Sequence, residues 1–175
     1  PPVDYQLDSL EKLEFYPGAF QGLSKIVEQL DYELVMVTNQ DGLGTNSFPE
    51  ETFWPAQNKI IEAFKNEGIE FSEVLIDKSF PEDNAPTRKP RTGLLQKYIY
   101  GDYDLENSYV IGDRASDIEL AKNLNCKSVF IGESNEDATI STTNWNDIYA
   151  YLKSKPRVGQ VTRTTKETNI LVELN

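Results

Sequence analysis

The chain has 175 residues, 38% hydrophobic and 26% charged, a composition that suits one globular domain with its own core and excludes a disordered or low-complexity chain. A formal net charge of -12 argues against a surface that neutralises nucleic-acid phosphates or lies on anionic lipid, so neither nucleic acid nor membrane is expected as a partner. Histidine is absent and Cys126 is the lone cysteine, which excludes histidine-based nucleophile systems, histidine-ligated metals and an intrachain disulfide.

From Pro17, the apolar residues Phe20, Leu23, Ile26, Val27 and Leu30 recur at helical spacing, with the proline where a helix start tolerates it. Leu34-Val35-Met36-Val37 is an unbroken apolar run closing on Thr38-Asn39, the pattern of a parallel strand buried on both faces. A loop with Gly42 and Gly44 follows. The pair Phe53-Trp54 opens a second helix, marked further on by Ile60, Ile61 and Phe64 and stopping near Gly68. Phe71 to Ile76 is a further strand, and a polar, proline-bearing loop runs from Asp77 to Pro90 into a helix around Leu94, Leu95 and Tyr98.

Tyr109-Val110-Ile111 forms a strand ending in Gly112-Asp113, the helix Ile118 to Leu124 follows, and Cys126 lies in the turn to a last strand, Val129-Phe130-Ile131. There it is expected to be a small buried apolar residue rather than a reactive thiol. Trp145, Ile148, Tyr149 and Leu152 mark a closing helix, after which the chain turns polar at Lys153-Ser154-Lys155-Pro156-Arg157 and then Thr-rich and strand-like. Such a tail either lies along the domain as an edge strand or begins a second domain. Strands alternating with helices imply an α/β fold: a Rossmann-like three-layer sandwich around a mostly parallel sheet.

In such a sheet ligands bind beyond the carboxyl ends of the strands, which directs attention to Thr38-Asn39, to Asp113 with Asp117, and to Arg88-Lys89-Pro90. Asp113 and Asp117 open a helix, where carboxylates serve as caps; they also offer oxygen ligands for Mg²⁺. Thr38 either finishes a strand or offers its hydroxyl to a phosphate, and Lys89 is either solvated or neutralises a transferring phosphoryl group. The run from Thr38 to Gly44 lacks a complete Walker or dinucleotide fingerprint.

Taken in order, Thr38, Lys89 and Gly112-Asp113 with Asp117 resemble the second to fourth motifs of haloacid dehalogenase phosphatases. Val37-Thr38-Asn39-Gln40-Asp41-Gly42-Leu43-Gly44-Thr45, Arg88-Lys89-Pro90 and Tyr109 to Ile118 are similar to the histidinol-phosphate phosphatase domains of bifunctional histidine-biosynthesis enzymes. Arg163-Thr164-Thr165-Lys166-Glu167-Thr168 resembles the opening strand of imidazoleglycerol-phosphate dehydratases. The resemblance implies a phosphatase domain over residues 1–153 and, over 154–175, a linker with the first strand of a dehydratase domain carried in the same full-length chain.

It also implies an Mg²⁺-dependent hydrolase that releases phosphate from L-histidinol phosphate through an aspartyl-phosphate, and the lone cysteine fits the reducing cytoplasm. In that scheme Thr38, Lys89 and Asp117 are catalytic, Asp113 binds the metal, and Thr38, Asn39, Gln40 and Lys89 contact substrate. Asp117 would orient Lys89 or a metal-bound water. Glu50, Glu51 and Arg114 are weaker candidates.

The family's first motif, a strand ending in a nucleophilic aspartate, is expected before Pro1, so the first strand is absent from this chain, which as written is expected to be catalytically dead. Alternatives are a heptose-bisphosphate phosphatase of the same subfamily, which the dehydratase-like tail disfavours, and a non-catalytic doubly wound module. A receiver-type module of that kind would place its lysine after the strand-end groups, whereas here Asp113 follows Lys89. Members of this subfamily often hold zinc in the loop before the lysine motif; here Asp77 to Thr87 has neither thiolate nor imidazole, so no structural zinc is expected. Elemental analysis of the purified protein is expected to find zinc far below one equivalent, and stoichiometric zinc would overturn this.

Overall fold

The structure is a computed structural model that describes residues 6–154, 159–164 and 169–174. Helix α1 (Ala19–Gln29) buries Ala19, Leu23 and Ile26, the last two from the stripe that the periodicity predicts, and leads to strand β1 (Val35–Asn39). Helix α2 spans Glu50–Asn66 and strand β2 spans Glu73–Asp77. The third helix is shorter than its apolar pattern suggests: a 3-10 turn at Gly93–Leu95 precedes only five residues of α-helix, α3 (Gln96–Tyr100).

Strand β3 (Tyr109–Gly112), helix α4 (Ala115–Leu124), strand β4 (Lys127–Phe130), the two-residue strand β5 (Ile140–Ser141) and helix α5 (Trp145–Lys153) complete the domain. The sequence pattern did not mark β5, because two residues are too few to show an alternation. The remaining strands, β6 (Gly159–Thr164) and β7 (Asn169–Leu174), pair antiparallel with each other. Residues 165–168, which hold most of the dehydratase-like stretch, lie outside the described residues, as does the start of the chain at 1–5.

The alternation of β3 shows why strands of continuous apolar character occur here. Tyr109 and Ile111 join a core built from α1, α5 and Phe64 of α2, whereas Val110 joins a second core formed by Leu95, Tyr98, Leu120 and Leu124. Helices therefore cover both faces of the strands, the three-layer arrangement expected of parallel sheets. A third cluster, Leu43, Phe48 and Phe53 with Ile76, anchors the loop that follows β1. Phe53 is thus core, while its neighbour Trp54 lies at the surface and donates to Glu50 at 3.1 Å.

The parallel strands form two separate sheets. Strand β1 pairs with β2 in the register Val35 to Glu73 through Asn39 to Asp77, and β3 pairs with β4, which pairs with β5. Among the described strands nothing lies between β1 and β3, so each keeps one unpaired edge. Between them runs a cleft of about 850 Å³ lined by Val35, Val37, Tyr109, Val110, Leu120 and Leu124, among others.

Cys126 lies half-buried between α4 and β4, and burial pushes its thiol up to about 11. The thiolate is the nucleophile. Relative to an ordinary cysteine near 9, its reaction with iodoacetamide at pH 8 should be about a hundredfold slower in the folded chain, recovering fully in denaturant. An equal rate in both states would refute the burial argument.

Candidate active site

The carboxyl ends of β1, β2 and β3 bring together groups that are distant in sequence. Asn39, the last residue of β1, uses both ends of its amide on the backbone of Lys89: its Nδ2 donates to the Lys89 carbonyl at 3.1 Å, and its Oδ1 accepts from the Lys89 N–H at 3.0 Å. The lysine loop is thereby fastened to β1. Its ammonium crosses to the other sheet, where Nζ donates to Asp117 Oδ1 at 2.8 Å, with both side chains at most 15% exposed. The second oxygen of Asp117 accepts from the Arg114 N–H at 3.2 Å and caps α4. The helix cap and the contact with Lys89 are thus made by the two oxygens of one carboxylate.

Gly112 makes that position possible. A Cβ at residue 112 would sit 2.2 Å from Asp117 Oδ2, so any larger residue would displace the carboxylate that holds Lys89. Asp113, the next residue, is exposed at the same strand end. Thr38 and Gln40 flank Asn39: Gln40 Nε2 donates to Thr38 Oγ1 at 2.9 Å, while Gln40 Oε1 is buried without a hydrogen-bond partner. The amides of Asn39 and Gln40, both expected to meet substrate, are therefore engaged by Lys89 and Thr38, with one acceptor of Gln40 left over.

A second network, not anticipated from the sequence, shapes the long loop. Asp77 ends β2 and is 4% exposed; its Oδ1 accepts from the backbone N–H and hydroxyl of Ser79, and its Oδ2 accepts from Thr87 Oγ1 at 2.5 Å. Arg88 then forms a two-point pair with Asp41, at 2.6 and 3.0 Å, and donates to the Ser79 carbonyl at 2.8 Å. Side-chain hydrogen bonds thus close the loop that leads to Lys89. The rule that singled out Asp113, a carboxylate ending an apolar strand, would equally have found Asp77 after Val74-Leu75-Ile76.

Above this loop Phe80 packs against Gly42, whose φ of +72° and 2.4 Å clearance leave no room for a side chain. Lys78 reaches Glu50 at 2.5 Å; with the Trp54 indole, that contact holds the Glu50 carboxyl below the ordinary range. Glu50 is thus occupied by protein groups.

No group of three or more histidine, cysteine or acidic side chains able to hold a metal occurs among the described residues. That donor set does not suit a closed zinc site, which needs four protein ligands. It does suit Mg²⁺, which takes one or two carboxylates and completes its shell with water and substrate phosphate, with Asp113 as the carboxylate at hand.

This three-layer α/β domain has a haloacid dehalogenase-like fold. The family described as "HAD-hyrolase-like" matches residues 86–150. Over its whole length the chain is 56% identical to the histidine biosynthesis bifunctional protein HisB of Bacteroides fragilis and 48% identical to that of Spirosoma linguale, covering 50% of each. The HisB of Campylobacter jejuni is 42% identical over 99% of the chain. The chain spans about half the length of these relatives.

Two solved structures share the fold. One is D,D-heptose 1,7-bisphosphate phosphatase from B. bronchiseptica complexed with magnesium and phosphate, with a TM-score of 0.71 and 22% identity, covering 86% of this chain and 89% of that one. The other is a HAD-like phosphatase from Mesorhizobium loti, with a TM-score of 0.69 and 20% identity, covering 86% of this chain and 79% of that one.

Breaking a buried ion pair leaves the remaining charge uncompensated, a cost of roughly 3–5 kcal/mol when fully enclosed and about 2 kcal/mol for a pair with this residual exposure. Asp117→Asn should lower stability by that amount in urea unfolding, and Gly112→Ala should do likewise because it expels the same carboxylate. A loss below about 0.5 kcal/mol in both would show that the pair is solvated.

Proposed function

We infer that the chain is the greater part of the phosphatase half of a bifunctional histidine-biosynthesis protein, a half that, complete with its nucleophile, hydrolyses L-histidinol phosphate to L-histidinol and phosphate. The observation that carries this reading is the buried Lys89–Asp117 pair, fastened to β1 through Asn39 at the strand ends where Thr38 and Asp113 also lie. The 56% identity to the histidine biosynthesis bifunctional protein HisB supports a substrate from histidine biosynthesis.

An ammonium has three donors and Asp117 takes one, leaving Lys89 two for phosphoryl oxygens. Thr38 Oγ1 accepts from Gln40, so its own O–H remains to donate to the phosphate. The orphan acceptor Gln40 Oε1 suits an N–H of the substrate, since a buried acceptor left unpaired costs about 1–3 kcal/mol. Donors held in place beforehand favour the charge that shifts onto the phosphoryl oxygens in the transition state. Asp113 would hold Mg²⁺, which when bound supplies Lewis-acid neutralisation of a phosphoryl oxygen. The nucleophile would be an aspartate carboxylate from outside the described residues, as the family resemblance implies.

An acidic domain with a formal charge of -12 favours the cationic histidinol moiety of the substrate. The same reading assigns residues 1–153 to the phosphatase, 154–175 to a linker and the start of a dehydratase domain, and the protein to the cytoplasm. No described helix is long and apolar enough to cross a membrane.

Phosphate release measured with the full-length protein tests this. Lys89→Met should lower kcat by about 10²–10³ and Asp113→Asn should remove the stimulation by Mg²⁺. Turnover of a heptose bisphosphate faster than of histidinol phosphate, or a Lys89→Met variant within threefold of the parent, would overturn the assignment.

A further inference from the structure

Arg88-Lys89-Pro90 belongs to no helix or strand, so its backbone polar groups have no ladder to enter. The segment is half-buried, and each of those groups therefore needs a partner of its own. Every one has such a partner. The Arg88 N–H donates to the Ala85 carbonyl at 3.2 Å, and the Arg88 carbonyl accepts from the Arg91 N–H at 2.8 Å. The other groups go to asparagine side chains. Asn39 takes both the N–H and the carbonyl of Lys89, and Asn123 Nδ2 donates to the Pro90 carbonyl at 2.9 Å. Pro90 has no N–H to place.

The two asparagines approach from different elements. Asn39 ends β1, whereas Asn123 lies in the last turn of α4, the helix that follows β3. On that same helix Asp117 holds the ammonium of Lys89. The orientation of the Asn39 amide is set by its two partners, since an N–H can meet only Oδ1 and a carbonyl only Nδ2. An ammonium at the end of a flexible four-carbon stem is placed accurately only if the backbone that carries it is fixed as well.

We propose that Asn39 and Asn123 are positioning residues: an amide clamp from β1 and α4 that sets the Lys89 backbone and, through it, the point at which the ammonium meets the transferring phosphoryl group. The proposal rests on the phosphatase reading. It assigns Asn39 to the lysine instead of to the substrate, and it gives a role to Asn123, an exposed residue that ends no strand. The two assignments of Asn39 have different kinetic signatures. Loss of a uniform substrate contact raises KM and leaves kcat alone. A displaced ammonium lowers kcat, because a shift of about 1 Å in a group that acts on the transition state costs up to about a hundredfold in rate.

Phosphate release from L-histidinol phosphate by the full-length protein tests this, together with hydrogen exchange of the Lys89 amide read by mass spectrometry. Asn39→Ala should lower kcat by about 10–100-fold with KM within about threefold of the parent. Its Lys89 amide, deprived of the Asn39 acceptor, should exchange at least about tenfold faster. Asn123 is exposed, so its variants leave the core intact. Asn123→Asp keeps the shape and removes the donor, and Asn123→Ala removes the donor without adding charge. Both should lower kcat by about fivefold at unchanged KM, while Asn123→Gln, which again carries an amide donor, should recover most of the loss.

A KM raised about tenfold with kcat unchanged in Asn39→Ala would make Asn39 a substrate ligand and overturn the clamp. Parental kcat in both Asn123→Asp and Asn123→Ala would overturn it equally. If Asn39→Ala does not fold, the Asn123 variants decide alone. If the parent protein releases no phosphate from histidinol phosphate, the phosphatase reading falls and hydrogen exchange decides the clamp: faster exchange at Lys89 in Asn39→Ala upholds it, and unchanged exchange overturns it.

Discussion

One ion pair joins the two halves of this domain at its chemical end. Lys89 is tied through its backbone to the last residue of β1, and its ammonium meets Asp117 on the helix that follows β3. Because β1 and β3 belong to separate sheets, this contact fixes the strand ends relative to each other where no ladder of backbone hydrogen bonds does so. Its strength depends on burial: at 15% and 9% side-chain exposure the two charges have little water to turn to, so each requires the other.

The surrounding side chains protect that contact from both sides. Asp117 stays in place because Gly112 offers no side chain and because its second oxygen caps α4. Lys89 stays in place because its loop is closed twice, by Asp77 on Ser79 and Thr87 and by Arg88 on Asp41. Asp77 accepts three hydrogen bonds within a loop that lacks zinc-type ligands, so local polar contacts provide the closure there. Rigid placement of an ammonium and a hydroxyl at a strand end is what phosphoryl chemistry asks of a protein, since little of that reaction beyond charge and position is the protein's to supply.

A parallel sheet is most stable when every inner edge is paired, and among the described residues the facing edges of β1 and β3 depart from that rule. The departure coincides with the site.

Much of the fold was legible from the sequence. The stripe Leu23, Ile26, Leu30 and the runs ending in Asn39 and Gly112 declare helices and parallel strands, because burial of one helix face or two strand faces imposes its own period on the residues. The candidate groups Thr38, Lys89, Asp113 and Asp117 were visible as polar residues closing apolar runs or standing in the intervening loop. The sequence did not show which polar group meets which, since Asn39 and Lys89 are 50 residues apart and Arg88 and Asp41 are 47 apart. Nor did it show that Asn39 and Gln40 spend their amides on Lys89 and Thr38, that Asp77 organises a loop, or that β5 exists at all. Periodicity is local and is written into the order of residues; partnership between side chains is a matter of distance in space, and only the tertiary structure sets it.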